Sequence, residues 1–455
     1  MKICVFNGSP KGDAGITLQY ARYMEKKISG HEYVYFNIAH DIKKIENDTA
    51  YFNGIMEAVK SSDGVVWAFP LYVLLVHAGL KRFIELIWER KMEAVFKGKY
   101  TALIATSIHF FDNTAINYMH AVCDDLEMQF AGYFSADMED FLHEKQRGDF
   151  LVFAEAFLNT IAAQTPMLRT YLPIRQEKVV YMPQTPASPL DMRGKKAVIL
   201  TDSTDETTNI GKMVERFRLL TGADVIDISK IKILSSCIGC IHCGLDNECV
   251  FHGKDDIEKI YESLDGYDII IYAGEIRDRY LSARWKTFHD RRFFKTHQPH
   301  YTGKQVGYLV SGPLSQNQNL YEILDAMTQI TFSNLCGVLT DEYTSGEIDS
   351  RMDGFAKKMI DLSVQNYIQP DTFLGVGGFK LFRDDMWGRL RFPFRMDHLY
   401  YKKHGLYDFP QKNLKSRLQN SLMLFLSKFP KVKKEIQLHT KEFMVQPYKK
   451  ILQEK

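Results

Sequence analysis

The stretch KICVFNGSPKGDAGIT, residues 2–17, decides the fold that we expect for this chain. Its first part, Lys2–Asn7, is a short apolar run typical of a buried β-strand. A loop of small residues follows, and a helix is predicted to begin near Gly15. A strand, a small-residue loop and a helix in this order can cradle a phosphate, because backbone N–H groups and the helix N-terminus supply positive potential. An ordinary turn between a strand and a helix is the alternative interpretation.

The alternation of strands and helices continues through residues 1–165. Further strands are predicted at Tyr33–Ile38, Gly64–Phe69, Tyr100–Thr106 and Phe130–Phe134. Five strands alternating with helices predict a parallel sheet that is covered by helices on both faces. Ligands of such sheets bind at the C-terminal ends of the strands. Those ends carry Ser9, Tyr72 and residues 107–109.

A proline-rich segment separates this part of the chain from a second copy of the pattern. Residues 166–195 contain five of the 14 prolines, which predicts a linker that crosses the surface. Strands are then expected at 197–200, 223–228, 267–273, 304–311 and 335–340. The order of elements matches the first part, so residues 196–370 are predicted to be a second domain and an internal repeat.

The loop after the first strand of the second copy is acidic. It carries Asp202, Asp205 and Glu206 where the first copy has a small-residue loop. Carboxylates repel a phosphate. The first copy is therefore the better candidate for binding a phosphorylated cofactor.

Four of the seven cysteines lie within thirteen residues, in the spacing C-x2-C-x2-C-x5-C. They are Cys237, Cys240, Cys243 and Cys249. Thiolates at this spacing are typical of iron–sulfur clusters. Structural zinc also uses four thiolates, usually as two C-x2-C pairs with a longer span between them. Redox-active or structurally incidental thiols are the third interpretation, and disulfides are disfavoured because we expect no signal peptide.

Composition sets limits on the class of protein. The 455 residues are 45% hydrophobic and 25% charged, with a net charge of +2, as in an ordinary soluble globular protein. Nothing in the overall charge indicates a nucleic-acid partner. No long uncharged apolar run is present, so we expect no transmembrane helix and a cytoplasmic location.

Three segments of the first domain resemble the flavodoxin-like NAD(P)H-dependent FMN reductase family. The segments are Gly8-Ser9-Pro10-Lys11 with Thr17, Phe69-Pro70-Leu71-Tyr72, and Gly79–Glu85. The resemblance implies an α/β fold of two tandem flavodoxin-like, doubly wound, parallel five-stranded sheets. It also implies that the phosphate of FMN is held by the first loop, at Ser9, Pro10, Lys11 and Thr17. The isoalloxazine ring would be bordered by Pro70, Leu71, Tyr72, Thr106, Ser107 and His109.

The cysteine run, followed by Gly253-Lys254-Asp255-Asp256-Ile257, resembles the iron–sulfur flavoprotein branch of the same family. That resemblance implies a [4Fe–4S] cluster on the four cysteines, in addition to FMN. Members of this branch work as oligomers, with the flavin of one subunit near the cluster of its neighbour. We therefore expect a fused pair in which the first domain holds the flavin, the second holds the cluster, and electrons cross between the domains.

The expected function is that of a flavin-dependent oxidoreductase. It would pass electrons between NAD(P)H, or a small electron carrier, FMN and the [4Fe–4S] cluster to a small-molecule or protein acceptor that the sequence does not identify. A cluster-free NAD(P)H:FMN or quinone reductase is one alternative, and a redox-sensing or zinc-stabilised binding protein without turnover is another. A homodimer is compatible with this interpretation. The charged run Arg277–Tyr280 is expected to be a solvated surface.

Residues 371–455 are predicted to be a basic, aromatic and mostly helical extension, with 18 Lys and Arg against 8 Asp and Glu. A loop is expected at Gly375–Gly378 and an amphipathic helix at Leu414–Leu426. Lysines follow that helix, so contact of residues 414–434 with a membrane surface is one interpretation. We expect instead a helix packed on the body of the protein.

Overall fold

The computed structural model of the protein describes residues 1–175, 179–295, 297–409 and 413–453. Part of the predicted linker, residues 176–178, lies outside the described residues, as do residues 410–412 and 454–455 of the predicted extension. The chain divides into two compact units, Met1–Tyr400 and Tyr401–Lys455.

The first sheet lies in residues 1–165, which we call the first domain. Its strands are β1 (Lys2–Asn7), β2 (Glu32–Phe36), β3 (Gly64–Tyr72), β4 (Leu75–Val76), β5 (Tyr100–Ser107) and β6 (Gln129–Asp137). Its helices are α1 (Ile16–Lys27), α2 (Ile42–Asn47), α3 (Thr49–Lys60), α4 (Ala78–Glu89), α5 (Asp112–Asp125) and α6 (Glu144–Ala162). The parallel strands follow the order β2-β1-β3-β5-β6, and β4 pairs antiparallel with β3. Without β4, this is the flavodoxin-like order.

The second sheet lies in residues 196–370, which we call the second domain. Its strands are β7 (Ala197–Thr201), β8 (Asp224–Asp227), β9 (Ile269–Glu275), β10 (Gln305–Ser311) and β11 (Asn334–Thr340). Its helices are α7 (Asn209–Thr221), α8 (Cys243–Asp246), α9 (Ile257–Ser263), α10 (Ala283–Arg291), α11 (Gln318–Gln329) and α12 (Ser345–Val364). All five strands are parallel, in the order β11-β10-β9-β7-β8. This order is the same as that of the first sheet, read from the other edge.

The predicted fold class is confirmed, with one additional strand and with helices that were not predicted. The first sheet has a sixth, short strand, β4, because the chain turns back on itself after Tyr72. Helices α5, α11 and α12 were not predicted, and α5 shows why. It begins directly after Phe111, whose φ is +56°, with Asp112, Asn113 and Thr114, and these polar residues are as typical of a loop as of a helix start.

Strand β1 lies at the centre of the first core, which explains its continuous apolar run. It pairs with β2 on one side and β3 on the other, so Phe6 stands opposite Phe36 and Trp67. The Phe6 ring also meets Phe83 of α4 edge-on, with 5.3 Å between ring centroids. A strand covered on both faces needs apolar residues throughout rather than in alternation.

The two domains pack through helices that occupy the same place in each repeat. Helix α4, which follows the third strand of the first domain, packs on α10, which follows the third strand of the second. In the same way, α5 packs on α11. Pairing of a surface with its own counterpart is the pattern of a two-fold symmetric dimer, here within one chain.

This interface corrects the expectation of a solvated surface for Asp278, Arg279 and Tyr280, whereas Arg277 is exposed as expected. Asp278 forms a 2.9 Å ion pair with the fully buried Lys81 of the first domain. The buried Arg279 guanidinium binds both carboxylate oxygens of Asp125, at 2.7 Å each. Tyr280 is also buried. Asp278 and Arg279 carry charge because they pair across the interface, with partners that their local sequence does not reveal.

Helices α13 (Phe373–Trp387) and α14 (Arg395–Lys403) begin the C-terminal extension. The loop expected at Gly375–Gly378 is wrong, since all four residues lie inside α13. A Cβ atom at Gly378 would lie 2.9 Å from both Phe110 and Phe111. The glycine therefore serves a close approach of the helix to these rings rather than a turn.

The second unit contains α15 (Leu414–Leu426) and α16 (Pro430–Gln453). Helix α15 has the predicted bounds, and none of its residues is buried. Across the described residues, every helix is either too short or too polar to cross a membrane.

Candidate functional site

The loop after β1 is folded tightly by its own polar groups. The Asn7 side chain donates to the Gly12 carbonyl at 2.8 Å and accepts from the Ser9 N–H at 3.0 Å. Ser9 and Thr17 are buried, whereas Lys11 is exposed. The hydroxyls of Ser9 and Thr17 and the exposed ammonium of Lys11 thus lie at one small loop. This set of donors is suited to a phosphate.

Gly15 shapes the mouth of this loop. A Cβ atom there would lie 2.8 Å from the Ser9 Oγ, so any larger residue would fill the space beside that hydroxyl. Gly15 also stands at the N-cap of α1 and offers no side chain to cap the helix. The first-turn N–H groups of a helix have no partner within it, and a phosphate can accept from them.

The loops after β3 and β5 border the same edge of the sheet. After Tyr72 the backbone adopts left-handed conformations at Val73 (φ +38°) and Leu74 (φ +62°). After Ser107 it does so at His109 (φ +61°) and again at Phe111. Strained backbone of this kind is costly for residues other than glycine and clusters at ligand sites. The phosphate loop is joined to this edge by a 2.5 Å hydrogen bond between the Thr17 and Thr106 hydroxyls.

His109 is oriented by an acidic partner. Its Nδ1 lies 2.9 Å from Asp112 Oδ2, which also accepts from the Ser135 hydroxyl at 2.6 Å. The hydrogen bond to Asp112 raises the pKa of His109. Burial works against ionisation of Asp112, but its hydrogen bonds with His109 and Ser135 outweigh this effect and lower the pKa. The pair therefore favours a protonated imidazole beside the expected flavin ring.

The corresponding loop of the second domain is closed by its own residues. The Thr208 hydroxyl accepts from the Gly211 N–H and so caps α7, where α1 begins at a glycine. A Cβ atom at Gly211 would lie 2.0 Å from the Asp205 carbonyl, so the loop lies directly on the first turn of the helix. Together with the carboxylates of this loop, such packing disfavours a phosphate.

The four cysteines come together around one small cavity. Its wall is completed by apolar side chains and one arginine: Ile238, Ile241, Val250, Phe251, Phe293, Phe294 and Arg291. Left-handed backbone at Gly239, Ile241 and Asn247 curls the loop around this space. Desolvation by burial raises the pKa of Cys237 to about 12 and raises that of Cys243 as well. Thiols in such surroundings become thiolates when a metal replaces the proton.

No group of three His, Cys, Asp or Glu side chains in the described part of the chain stands close enough to hold one metal ion. The shared cavity is nevertheless compatible with a cluster. A cubane binds each thiolate to a different iron, so its four sulfurs stand farther apart than those around a single zinc. The donor set and its apolar surroundings therefore suit an iron–sulfur cluster, and the cavity, about 20 Å³ in this structure, would have to widen to hold one.

The cysteine loop of the second domain lies directly against the flavin-side loop of the first. A Cβ atom at Gly239 would lie 2.3 Å from the Tyr72 hydroxyl and 3.0 Å from Lys11 Cε. The buried His77 ring meets Tyr72 edge-on, with 4.9 Å between ring centroids. Its Nδ1 accepts from the Gly79 N–H, and burial lowers the pKa of the imidazole. The proton is therefore on Nε2, which donates to the Cys237 carbonyl at 2.8 Å.

The C-terminal extension contacts both the loop after β5 and the cysteine loop. Phe382 of α13 packs on Phe110, with 3.9 Å between ring centroids. A Cβ atom at Gly244 of the cysteine loop would lie 2.1 Å from the Pro393 carbonyl. Arg389 binds Asp137 at the end of β6 through two bonds of 2.5 and 2.6 Å. The segment 373–400 therefore forms an aromatic cover over this side of the molecule.

The sequence-predicted residues fall into two adjoining groups. The ten residues assigned to FMN all lie at the C-terminal edge of the first sheet. The four cysteines share one cavity, and the loop that carries them lies next to Tyr72 and Lys11 at Gly239. Sequence reasoning missed His77, Gly239 and Phe110. A glycine between two closely spaced cysteines was the one available signal, because such a glycine can mark a close approach.

The family model described as NADPH-dependent FMN reductase matches residues 1–135. This match confirms the predicted resemblance for the first domain, and it ends before the linker. No curated protein is detectably similar in sequence to this chain.

Solved structures with similarity to this chain each align with about a third of it. An NADH:FMN oxidoreductase in its apo form is 14% identical, over 35% of this chain and 89% of its own, with a TM-score of 0.30. The flavoenzyme FerB of Paracoccus denitrificans, an NAD(P)H:(acceptor) oxidoreductase, is 17% identical, over 36% and 97%, with a TM-score of 0.29. General stress protein 14 of Treponema denticola, in complex with FMN, is 12% identical, over 36% and 98%, with a TM-score of 0.27.

Proposed function

We propose that the chain is an NAD(P)H-dependent flavin oxidoreductase that binds FMN in residues 1–165 and a [4Fe–4S] cluster in residues 196–370. The observation that carries the proposal is the approach of Gly239 to Tyr72 and Lys11. It brings the cysteine cavity of one domain to the flavin-side loop of the other. The proposal retains the cytoplasmic location predicted from the sequence.

The first domain would hold FMN through the groups described above. Ser9, Thr17, Lys11 and the first-turn N–H groups of α1 would bind the phosphate, with Pro10 shaping the loop. Pro70–Tyr72 and Thr106–His109 would border the ring and exclude water from it. The protonated imidazole of His109 would place positive charge beside the ring, which favours its reduced, anionic form.

The second domain would hold the cluster on Cys237, Cys240, Cys243 and Cys249. The apolar wall of the cavity would limit solvent access, which is one determinant of a cluster's potential. When bound, FMN accepts a hydride as two electrons and the cluster carries one electron at a time. A chain with both groups side by side can therefore couple a two-electron donor to a one-electron acceptor.

The loops that follow the first strand of each domain support binding of FMN by the first domain alone. The loop of the first domain is open at Gly15, whereas that of the second is capped by Thr208 and carries carboxylates. We therefore propose one FMN per chain. The linker segment 166–195 and the extension 371–455 complete the proposed domain organisation.

The test is an anaerobic absorbance spectrum of the purified chain, before and after reduction, with iron and FMN quantified on the same sample. We expect about four irons and one FMN per chain, with a broad thiolate-to-iron band that bleaches on reduction. One FMN without iron, in protein never exposed to oxygen, would identify a cluster-free flavin reductase. If the protein contains neither iron nor FMN, the result would favour the redox-sensing or zinc-stabilised binding protein.

A further inference from the structure

Helix α15 presents a continuous apolar stripe to solvent. At 3.6 residues per turn, the side chains on one side of the helix are Leu414, Leu418, Leu422, Phe425 and Leu426. Of these, Leu418 is 72% exposed and Phe425 is 55% exposed. None of the thirteen residues of α15 is buried. Exposed apolar side chains that form one continuous patch mark an interaction surface.

The charge around this stripe has one sign. Residues 413–434 contain six Lys and Arg and no Asp or Glu. Lys428, Lys431, Lys433 and Lys434 are all exposed and follow the stripe directly. The rest of the helix surface is mostly polar, with Ser416, Gln419 and Asn420. A partner must therefore offer an apolar layer next to a negatively charged one.

We propose that α15 and the lysines that follow it bind the surface of a bilayer that contains anionic lipids. The inference goes beyond the proposed oxidoreductase function and does not depend on it. The apolar stripe would lie at the boundary between headgroups and acyl chains, and the lysines would meet the anionic headgroups. At thirteen residues the helix is too short to span the hydrocarbon layer, so it lies in the plane of the surface.

The alternative occupant is a second copy of this chain. Two stripes could cover each other, but the six cations of each copy would then be brought together. Such repulsion is unfavourable at low ionic strength, and salt would relieve it. Salt has the opposite effect on binding to anionic lipid, so the two occupants respond to it in opposite directions.

The experiment is flotation of the full-length chain with vesicles of phosphatidylcholine alone, or with about one third phosphatidylglycerol. We expect binding to the anionic vesicles to be at least about tenfold stronger than to the neutral ones, and to weaken as salt is added. Equal partitioning to both kinds of vesicle, or no partitioning to either, would overturn the proposal. A salt-strengthened dimer without vesicle binding would overturn it in favour of the second copy.

Two leucines provide a matched pair of variants. Leu422 lies on the stripe and Leu424 lies on the other side of the helix, and both are exposed. Leu422→Gln should weaken binding to anionic vesicles about tenfold, whereas Leu424→Gln should leave it nearly unchanged. Equal losses from the two variants would contradict the proposed orientation. Circular dichroism and thermal unfolding would verify that both variants fold as the parent does, which is expected because neither side chain is buried.

Discussion

The Glu85 carboxylate of α4 accepts a hydrogen bond from the backbone N–H of Ala283, the first residue of α10, at 2.7 Å. The reverse bond also exists: Asp290 of α10 accepts from the N–H of Ala78, the first residue of α4, at 2.8 Å. Each carboxylate stands seven residues after the alanine that begins its own helix. Each helix therefore uses a carboxylate to cap the N-terminus of the other.

A lysine occupies the same position in each of these helices. Lys81 is paired with Glu85 at 2.7 Å, and Lys286 is paired with Asp290. Both lysines are fully buried. Each also crosses to the other domain near the end of its third strand, Lys81 to Asp278 and Lys286 to the Tyr72 carbonyl at 2.8 Å. Such reciprocity supports descent of the two domains from a symmetric dimer whose subunits were later joined in one chain.

The buried pairs predict a large loss of stability for Lys81→Met. The change removes the cation that Glu85 and Asp278 share, and of these two largely buried carboxylates only Glu85 keeps another, Arg82 at 3.0 Å. Breaking a buried ion pair by removing one partner costs about 3–5 kcal/mol. Denaturant unfolding would measure this loss.

Lys145→Met is the matched control for that substitution. Lys145 and Asp149 have the same spacing of four residues in a helix, but both are exposed. Surface pairs contribute about 0–1 kcal/mol, so the control should unfold almost as the parent does. Similar losses for the two variants would show that burial is not what makes the Lys81 network important.

Gly239→Ala is predicted to separate the two redox sites without emptying them. An added Cβ would collide with the Tyr72 hydroxyl and force the cysteine loop away from the first domain. We expect FMN and iron contents near those of the parent, unchanged flavin bleaching by NAD(P)H, and cluster reduction slowed about tenfold or more. Anaerobic stopped-flow absorbance at separate flavin and cluster wavelengths would follow both steps.

Gly253→Ala controls for backbone strain in that experiment. Gly253 has φ +66° and Gly239 has φ +67°, but a Cβ at Gly253 would meet nothing within 4 Å. Both variants force alanine into a left-handed conformation, at a cost of about 1 kcal/mol. If Gly253→Ala slows cluster reduction as much as Gly239→Ala, the contact with Tyr72 has no part in electron transfer.

Thr17→Val is predicted to weaken FMN binding. The substitution removes a buried hydroxyl beside the phosphate loop while keeping the shape of the side chain. A hydrogen bond to a charged group contributes about 1.5–3 kcal/mol, so the dissociation constant of FMN should rise about tenfold or more. Fluorescence titration of the FMN-free protein would measure it.

The second domain supplies the control for this prediction. Thr208→Val removes the cap of α7, which should cost about 1 kcal/mol of stability. It should leave FMN affinity unchanged, because we propose that the second loop binds no phosphate. A loss of FMN from Thr208→Val equal to that from Thr17→Val would place flavin in the second domain as well.

Cys240→Ser is predicted to remove iron but not FMN. Cys240 is exposed, so its replacement does not disturb the core, and a serine is a poor ligand for iron. Iron analysis and the visible spectrum would report the loss. Cys336→Ser is the control, because Cys336 is buried in the second domain away from the cavity and should keep the full iron content.

The His109–Asp112 pair predicts a pH dependence. The pKa of His109 is raised in the folded protein, so the stability that it contributes is fully present below the ordinary histidine pKa of about 6.5. That contribution is lost as the pH rises through the raised, folded-state value. NMR titration of the imidazole should give a midpoint above the ordinary one. Asp112→Asn should lower the midpoint, and an unchanged midpoint in that variant would show that Asp112 does not cause the shift.

The sequence alone determined features that depend on neighbouring residues. The apolar run of β1, the small-residue loop after it, the spacing of the cysteines and the amphipathic helix α15 each lie within a few turns of chain. A local pattern fixes a strand or a helix because backbone geometry repeats every two or 3.6 residues. The doubled order of elements also followed from the sequence, because each repeat carries the same succession of local signals.

Only the tertiary structure decided which side chains meet across the chain. Asp278 and Arg279 read as solvated charges until Lys81 and Asp125, far away in sequence, were placed beside them. Residues 375–378 read as a loop until the rings of Phe110 and Phe111 showed why the helix needs a glycine at position 378. The contact of Gly239 with Tyr72 has the same origin. Such contacts depend on how two folded surfaces fit together, and no local periodicity encodes that fit.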